Sequence, residues 1–136
     1  MNPSKSVVAK RACFMALFVL TSSAAFPQTQ RDNLVGAWKY SGLEEFDVFT
    51  PADSFHRNDA IQFVADGKYT MVKDGKKTSG SWTLNSKGGQ LVFSDVASGT
   101  SLRYTLKSLT KQELVIEFQT PDLVRTKYFY KPVSGQ

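Results

Sequence analysis

Past residue 33 the chain alternates apolar and polar residues with a period of two, and turn residues break that alternation at short intervals. Leu34, Gly36, Trp38 and Tyr40 alternate with Val35, Ala37 and Lys39. Leu102, Tyr104 and Leu106 alternate with Arg103, Thr105 and Lys107, and Leu114, Ile116 and Phe118 with Glu113, Val115 and Glu117. Period two is the side-chain repeat of a strand with one buried face, and no stretch past residue 25 carries apolar residues at helical spacing over helical length. Asp66-Gly67 and Asp74-Gly75 are hairpin signals. The pattern predicts eight strands, over 34–40, 60–65, 68–73, 79–84, 90–94, 101–109, 113–119 and 123–131. Most links are short, so neighbours in sequence should pair as antiparallel neighbours. Eight such strands can close into a barrel or pack as a sandwich. Closure removes both edges and leaves room for one small ligand, so the expected fold is all-β, an eight-stranded antiparallel up-and-down barrel over 34–132.

Ahead of that body, Lys5, Lys10 and Arg11 precede an apolar stretch, 12–20, and a small-residue segment ending at Ala25. This is the layout of an export signal cleaved after Ala25. The apolar run is too short to span a bilayer as a stable helix, and no second one follows. The expected organisation is therefore a signal peptide over 1–25, a flexible polar lead-in over 26–33 and one barrel domain. The mature protein is expected in the periplasm or outside the cell, and not spanning the membrane.

The formal charge of +5 misleads, because three of the 17 basic residues and none of the 12 acidic ones lie in the signal. The mature chain keeps 14 basic groups against 12 acidic, spread along its length, which gives no footprint for a phosphate backbone. Nucleic acid is excluded as a partner on that ground. The one cysteine, Cys13, lies inside the signal, so the domain has no disulfide, thiol nucleophile or thiolate ligand.

The first connection, 41–59, is the anomaly. Loops of such length tend to be lids or binding loops. It carries Phe46, Phe49 and Phe55, which either gate a ligand or plug the barrel end as ordinary core. It also holds Glu44, Glu45, Asp47, Asp53, His56 and Asp59. Their spacing fits no EF-hand loop and the chain has one histidine, so a solvated acidic loop is expected, with no metal and no cofactor. His56 is also the only imidazole for a Ser-His-Asp relay. No Gly-x-Ser-x-Gly, His-Glu-x-x-His or phosphate-binding Gly-rich motif occurs, so no enzyme is indicated.

Leu34-Val35-Gly36-Ala37-Trp38 resembles the Gly-x-Trp opening strand of lipocalins. The run Ile61-Gln62-Phe63-Val64-Ala65-Asp66-Gly67-Lys68-Tyr69-Thr70 is similar to the second hairpin of small secreted bacterial lipocalin-like domains. Gly80-Ser81-Trp82-Thr83-Leu84 and Leu109-Thr110-Lys111-Gln112-Glu113-Leu114 extend the likeness in order and spacing. The resemblance spans about 34–130 and implies a calycin-type barrel, usually assigned to binding small apolar ligands. It also implies a basic residue of the last strand, Arg125 or Lys127, packed over the Trp38 indole at the closed end.

Strand direction then places a site. Strand 1 runs toward the long loop, so the inward residues nearest that rim are Tyr40, Ile61 and Phe63, followed by Met71, Trp82, Phe93, Leu102, Tyr104 and Phe118. With Phe46, Phe49 and Phe55 they make an aromatic mouth, while Leu34, Leu84, Leu91, Leu106 and Leu114 collect as an aliphatic floor. Trp38, Phe63, Tyr69, Trp82, Leu84, Leu91, Leu106, Leu114 and Ile116 are the expected core. The mouth suits a small apolar or aromatic guest. The alternative is a non-catalytic structural or protein-interaction module of the cell envelope, with a filled barrel and an unidentified protein partner. Tyr128 and Tyr130 lie on the opposite parity to Phe129, and one of the two sets must face outward.

Overall fold

A computed structural model describes residues 26–133 except 86 and 88; the expected signal, 1–25, lies outside the described residues. These residues form one helix, α1 (Phe26–Leu34), and nine strands. The strands are β1 (Gly36–Glu45), β2 (Val48–Pro51), β3 (Ala60–Phe63), β4 (Lys68–Lys73), β5 (Lys76–Asn85), β6 (Gln90–Asp95), β7 (Ser101–Leu109), β8 (Leu114–Gln119) and β9 (Arg125–Pro132). Eight of them, β1 and β3 to β9, follow one another as antiparallel neighbours, and β9 returns to pair with β1. The barrel is closed, one of the two arrangements that short links and single apolar faces allow. No helix among the described residues is long and apolar enough to cross a membrane.

The ninth strand, β2, comes from the long first connection. β1 pairs with β3 through residues 36–39 and with β2 through residues 42–45, while β9 flanks it along both halves. The turn between β1 and β2 is Phe46-Asp47, with both φ values positive (50° and 63°). That is the backbone a two-residue type I′ hairpin demands, and Asn-Gly is its usual sequence. Asp74-Gly75 makes the same turn between β4 and β5, with φ of 54° and 79°.

A β-bulge between Tyr40 and Gly42 shifts the pairing of β1 with β9. The extra residue reverses side-chain parity. Trp38 and Tyr40 face inward before it and Leu43 and Glu45 after it, so Gly42 and Glu44 face out. Glu45 accepts a hydrogen bond from the buried Thr126 hydroxyl at 2.6 Å, whereas Glu44 pairs with Lys127 at 3.2 Å.

The core is one aromatic-rich cluster. Of the nine expected residues, Trp38, Phe63, Tyr69, Trp82, Leu91, Leu114 and Ile116 are buried, and Leu84 and Leu106 pack against them. Segment 26–33 departs from the lead-in read from its polar composition, because α1 docks on the closed end. Leu34 is fully buried, and its carbonyl accepts the Trp38 indole N–H at 2.9 Å. Arg31 donates to the Ala65 carbonyl at 3.1 Å and sets its guanidinium 4.4 Å from the Trp82 ring centre. This corrects the expectation of Arg125 or Lys127 over Trp38. Trp38 lies opposite Pro132 in β9, Lys127 is engaged by Glu44, and Arg125 sits opposite Gln119 at the other end of that strand. The cation on an indole at the closed end is Arg31, on Trp82.

Candidate functional site

The barrel is filled below its open rim. Ring contacts run without a break from Trp82 at the closed end through Phe63 (5.2 Å), Phe93 (5.7 Å) and Tyr104 (5.6 Å) to Tyr128 (6.2 Å) and Tyr40 (6.5 Å). Above that stack a cavity of about 300 Å³ opens. Its apolar wall is Tyr40 and Leu43 of β1 with Tyr128 and Tyr130 of β9. Its roof is the segment following β2, with Asp53, His56 and Asp59, and its side is Lys73 and Asp74 at the β4–β5 turn.

Backbone bonds hold the roof in place. Tyr40 donates its N–H to the Asp59 carbonyl, and Ala52 donates to the Ser41 carbonyl, both at 2.9 Å. The Asp53 carboxylate accepts the backbone N–H of His56 at 2.9 Å, an Asx-type turn that closes 53–56. The same Oδ1 lies 2.8 Å from His56 Nδ1, and the other ring nitrogen, Nε2, lies 2.8 Å from Asp74 Oδ1. Asp59 is buried, and its Oδ2 accepts the Asp74 backbone N–H at 3.0 Å. Its Oδ1 is buried with no hydrogen-bond partner among the described residues.

The hydrogen bond to Asp53 is the largest influence on His56 and raises its pKa above the usual histidine value; the same bond lowers that of Asp53. Burial, with neighbouring Tyr128 and Asp59, pushes the Tyr40 phenol up to about 12. Burial pushes Tyr104 up to about 12 as well, and raises Tyr128 and, well beyond the usual value, Tyr130. The phenols facing the cavity therefore stay neutral and can donate or accept hydrogen bonds at any physiological pH. Three carboxylates against one imidazole and one ammonium leave the polar end slightly anionic. Lys73 lies 5.0 Å from the centre of the Tyr128 ring. A His–Asp pair of this kind can act as a base with its orienter, but here the second ring nitrogen faces a carboxylate rather than a hydroxyl or thiol nucleophile.

Of the residues expected at a binding mouth, Tyr40 alone lines this cavity. Phe63, Met71, Trp82, Phe93 and Tyr104 are buried in the core, and Phe118 packs half-buried beside Tyr104 at 5.5 Å. Trp82 sits at the closed end, where its indole N–H donates to the Val64 carbonyl at 3.1 Å. β5 begins at Lys76 rather than at 79, so Trp82 stands six residues, about 20 Å, from the rim turn. Phe46, Phe49 and Phe55 do not assemble into a gate. Phe46 is 77% exposed at the hairpin tip, and Phe49 lies on the outer face over Gly42 and against Phe129 at 5.3 Å. Phe55 is exposed and meets the edge of His56 at 4.9 Å. The cause is the bulged continuation of β1: once β2 pairs with it, Phe49 is on the outward side.

The acidic patch of 41–59 also divides. Glu44, Glu45 and Asp47 belong to the hairpin, while Asp53, His56 and Asp59 meet Asp74 across the cavity. His56, Asp59 and Asp74 are the one group of three such side chains among the described residues close enough to share a cation. Tyr128 and Tyr130 face inward and Phe129 outward. A signal for this was present: Lys127 and Lys131 share the parity of Phe129.

The eight-stranded antiparallel barrel, closed by β9 on β1 and opened by a Gly-x-Trp strand, is matched by the lipocalin-like domain family over residues 34–116. The chain belongs to that lipocalin-like family. No curated protein matches it. Its fold is that of a lipocalin-type binding module, and the rim of this member carries the tyrosine-lined cavity.

Proposed function

We propose that this protein is an exported, non-catalytic lipocalin-like module that binds one small aromatic or otherwise apolar molecule in its rim cavity. The observation that carries the reading is the hollow over Tyr40, Tyr128 and Tyr130, about twice the volume of a second hollow beside Met71, Phe93 and Leu102. At about 300 Å³ it lies at the lower end of small-molecule sites, which run to roughly 1,000 Å³. Phenol faces suit a planar guest, and neutral phenols beside Asp53, Asp59 and Asp74 suit one with a hydrogen-bond donor or a basic group at one end. Export is supported by the layout of 1–25, a charged segment followed by an apolar and then a small-residue one.

Native mass spectrometry of the protein recovered from its own host tests the reading. The expected result is a small-molecule adduct lost on denaturation, with an N-terminus at Phe26. An adduct-free mass at native abundance contradicts the binding role, and an N-terminus retaining Met1 contradicts export. The packed aromatic floor favours the second reading, a filled structural or interaction module, which is what an adduct-free result would leave standing.

A further inference from the structure

We propose that His56, Asp59 and Asp74 form a binding site for a divalent transition-metal cation on the wall of the rim cavity. Each offers one ligand atom, and these atoms lie within 4.8 Å of one another. Metal bonds of about 2.1 Å at tetrahedral angles separate ligand atoms by about 3.4 Å. His56 Nε2 and Asp74 Oδ1, now 2.8 Å apart, would therefore open by roughly half an ångström, while the widest pair, within 4.8 Å, closes by about 1 Å. Three residues from two places in the chain meet here, because the 52–59 segment folds back over the rim turn at Asp74.

The buried Asp59 points independently to a ligand. Its side chain is 5% exposed, it stands on the cavity wall, and its Oδ1 has no hydrogen-bond partner among the described residues. An unsatisfied buried carboxylate oxygen is costly, and buried charges in proteins are paired or coordinate metals. Neither neighbouring group serves as its hydrogen-bond partner: His56 Nε2 is turned to Asp74, and the Asp74 backbone N–H is taken by Asp59 Oδ2. A cation shared with His56 and Asp74 supplies the missing positive partner.

The imidazole is prepared for the role. A metal-bound histidine usually donates its other ring N–H to a carboxylate, which fixes the tautomer and the ring orientation. Asp53 Oδ1 stands 2.8 Å from His56 Nδ1 for that purpose, which leaves Nε2 aimed at Asp74. One imidazole with two carboxylates suits Zn²⁺ or a neighbouring first-row cation over Mg²⁺ or Ca²⁺, which prefer oxygen-only ligand sets. Three protein ligands leave coordination positions open toward the cavity, as in metal sites that also hold a small molecule. The proposal stands apart from any organic guest, so its failure would leave the binding role of the cavity untouched.

The test is calorimetric titration of the untagged protein, cleared of metal by chelation, with Zn²⁺. His56 is the only histidine, so one set of imidazole NMR signals reports on the site. The expected result is one Zn²⁺ per chain, with a Zn²⁺-dependent shift of the Nε2 resonance and no matching response to Mg²⁺. His56→Ala and Asp74→Asn, both at partly exposed positions, should weaken binding more than tenfold, and Asp53→Asn by about 10–100-fold. Asp47→Asn, a carboxylate of the same segment outside the group, should leave affinity unchanged. Far-UV circular dichroism identifies any variant that fails to fold. No saturable Zn²⁺ binding, an unmoved His56 spectrum, or full affinity in folded His56→Ala or Asp74→Asn would overturn the proposal.

Discussion

Truncating Phe93 to alanine tests whether the aromatic rings below the rim are core or binding surface. Phe93 is 2% exposed and meets Phe63, Tyr69 and Tyr104 at ring separations of 5.7, 4.8 and 5.6 Å. Phe→Ala in a packed core costs about 3–5 kcal/mol, the lost transfer energy plus a cavity term. Each well-oriented ring pair contributes about 0.5–1.5 kcal/mol beyond its buried area, and Phe93 loses three. The upper part of the range is therefore expected, about 4–5 kcal/mol, against a total stability of about 5–15 kcal/mol for a domain. At about 4–5 °C per kcal/mol for a chain of this size, Tm should fall by roughly 20 °C. Thermal melts followed by far-UV circular dichroism measure this directly. Phe46→Ala is the matched control: at 77% exposure it should change stability by no more than about 0.5 kcal/mol. Phe93 borders only a small hollow of about 140 Å³; if it lined an open cup instead, its truncation would enlarge existing space and cost far less. A Phe93→Ala protein melting within about 5 °C of the parent, or an equal loss in Phe46→Ala, would refute the reasoning.

Gly80→Ala should destabilise the barrel by about 3 kcal/mol, because a Cβ there would lie 1.8 Å from the Ser94 carbonyl oxygen and neither backbone can yield cheaply; urea denaturation gives the value. Arg31→Ala should cost about 1–2 kcal/mol through the lost Trp82 and Ala65 contacts, and tryptophan fluorescence should report the change at Trp82. Tyr40 and Tyr104 carry folded pKa values of about 12 against an ordinary 10, so the stability they contribute is fully present below pH 10 and is lost as pH rises through 12. Tyrosinate absorbance in an alkaline titration should accordingly appear late and together with unfolding; early, stepwise ionisation of folded protein would contradict the burial of these phenols.

The barrel was legible because alternation survives wherever one face of a strand is buried. β4 and β6 follow that alternation closely, whereas in β7 and β8 Leu102 is exposed, Val115 is buried beside Leu114 and Ile116, and a bulge between Leu106 and Ser108 shifts the pairing. Asp74-Gly75 announced its turn through a residue pair that tolerates positive φ. Three features escaped for local reasons. Phe46-Asp47 adopts the same turn without a sequence that favours it, so β2 was absorbed into a long loop. The bulge at Tyr40 reverses parity inside β1, and no residue type marks an extra residue in a strand. The true start of β5, at Lys76, lies in a run of lysines and hydroxyls without an apolar repeat, and the error moved Trp82 from floor to mouth. The cavity escaped for a different reason. Asp74 read as a turn residue and Asp53, His56 and Asp59 as solvated loop, and only the fold of 52–59 over the rim joins them. The orientation of Tyr128 and Tyr130 was within reach, since water-seeking Lys127 and Lys131 flank Phe129 on its own face.

The central claim is that a guest binds at the rim, above a filled floor. Titration of an environment-sensitive apolar dye into the parent, Ala52→Trp and Trp82→Phe proteins tests it most directly. Ala52 lines the cavity, so an indole there should occupy the space and weaken binding by about tenfold or more, whereas Trp82→Phe at the closed end should leave affinity unchanged. Undiminished dye binding in a folded Ala52→Trp protein, or its loss in a folded Trp82→Phe protein, would contradict the account.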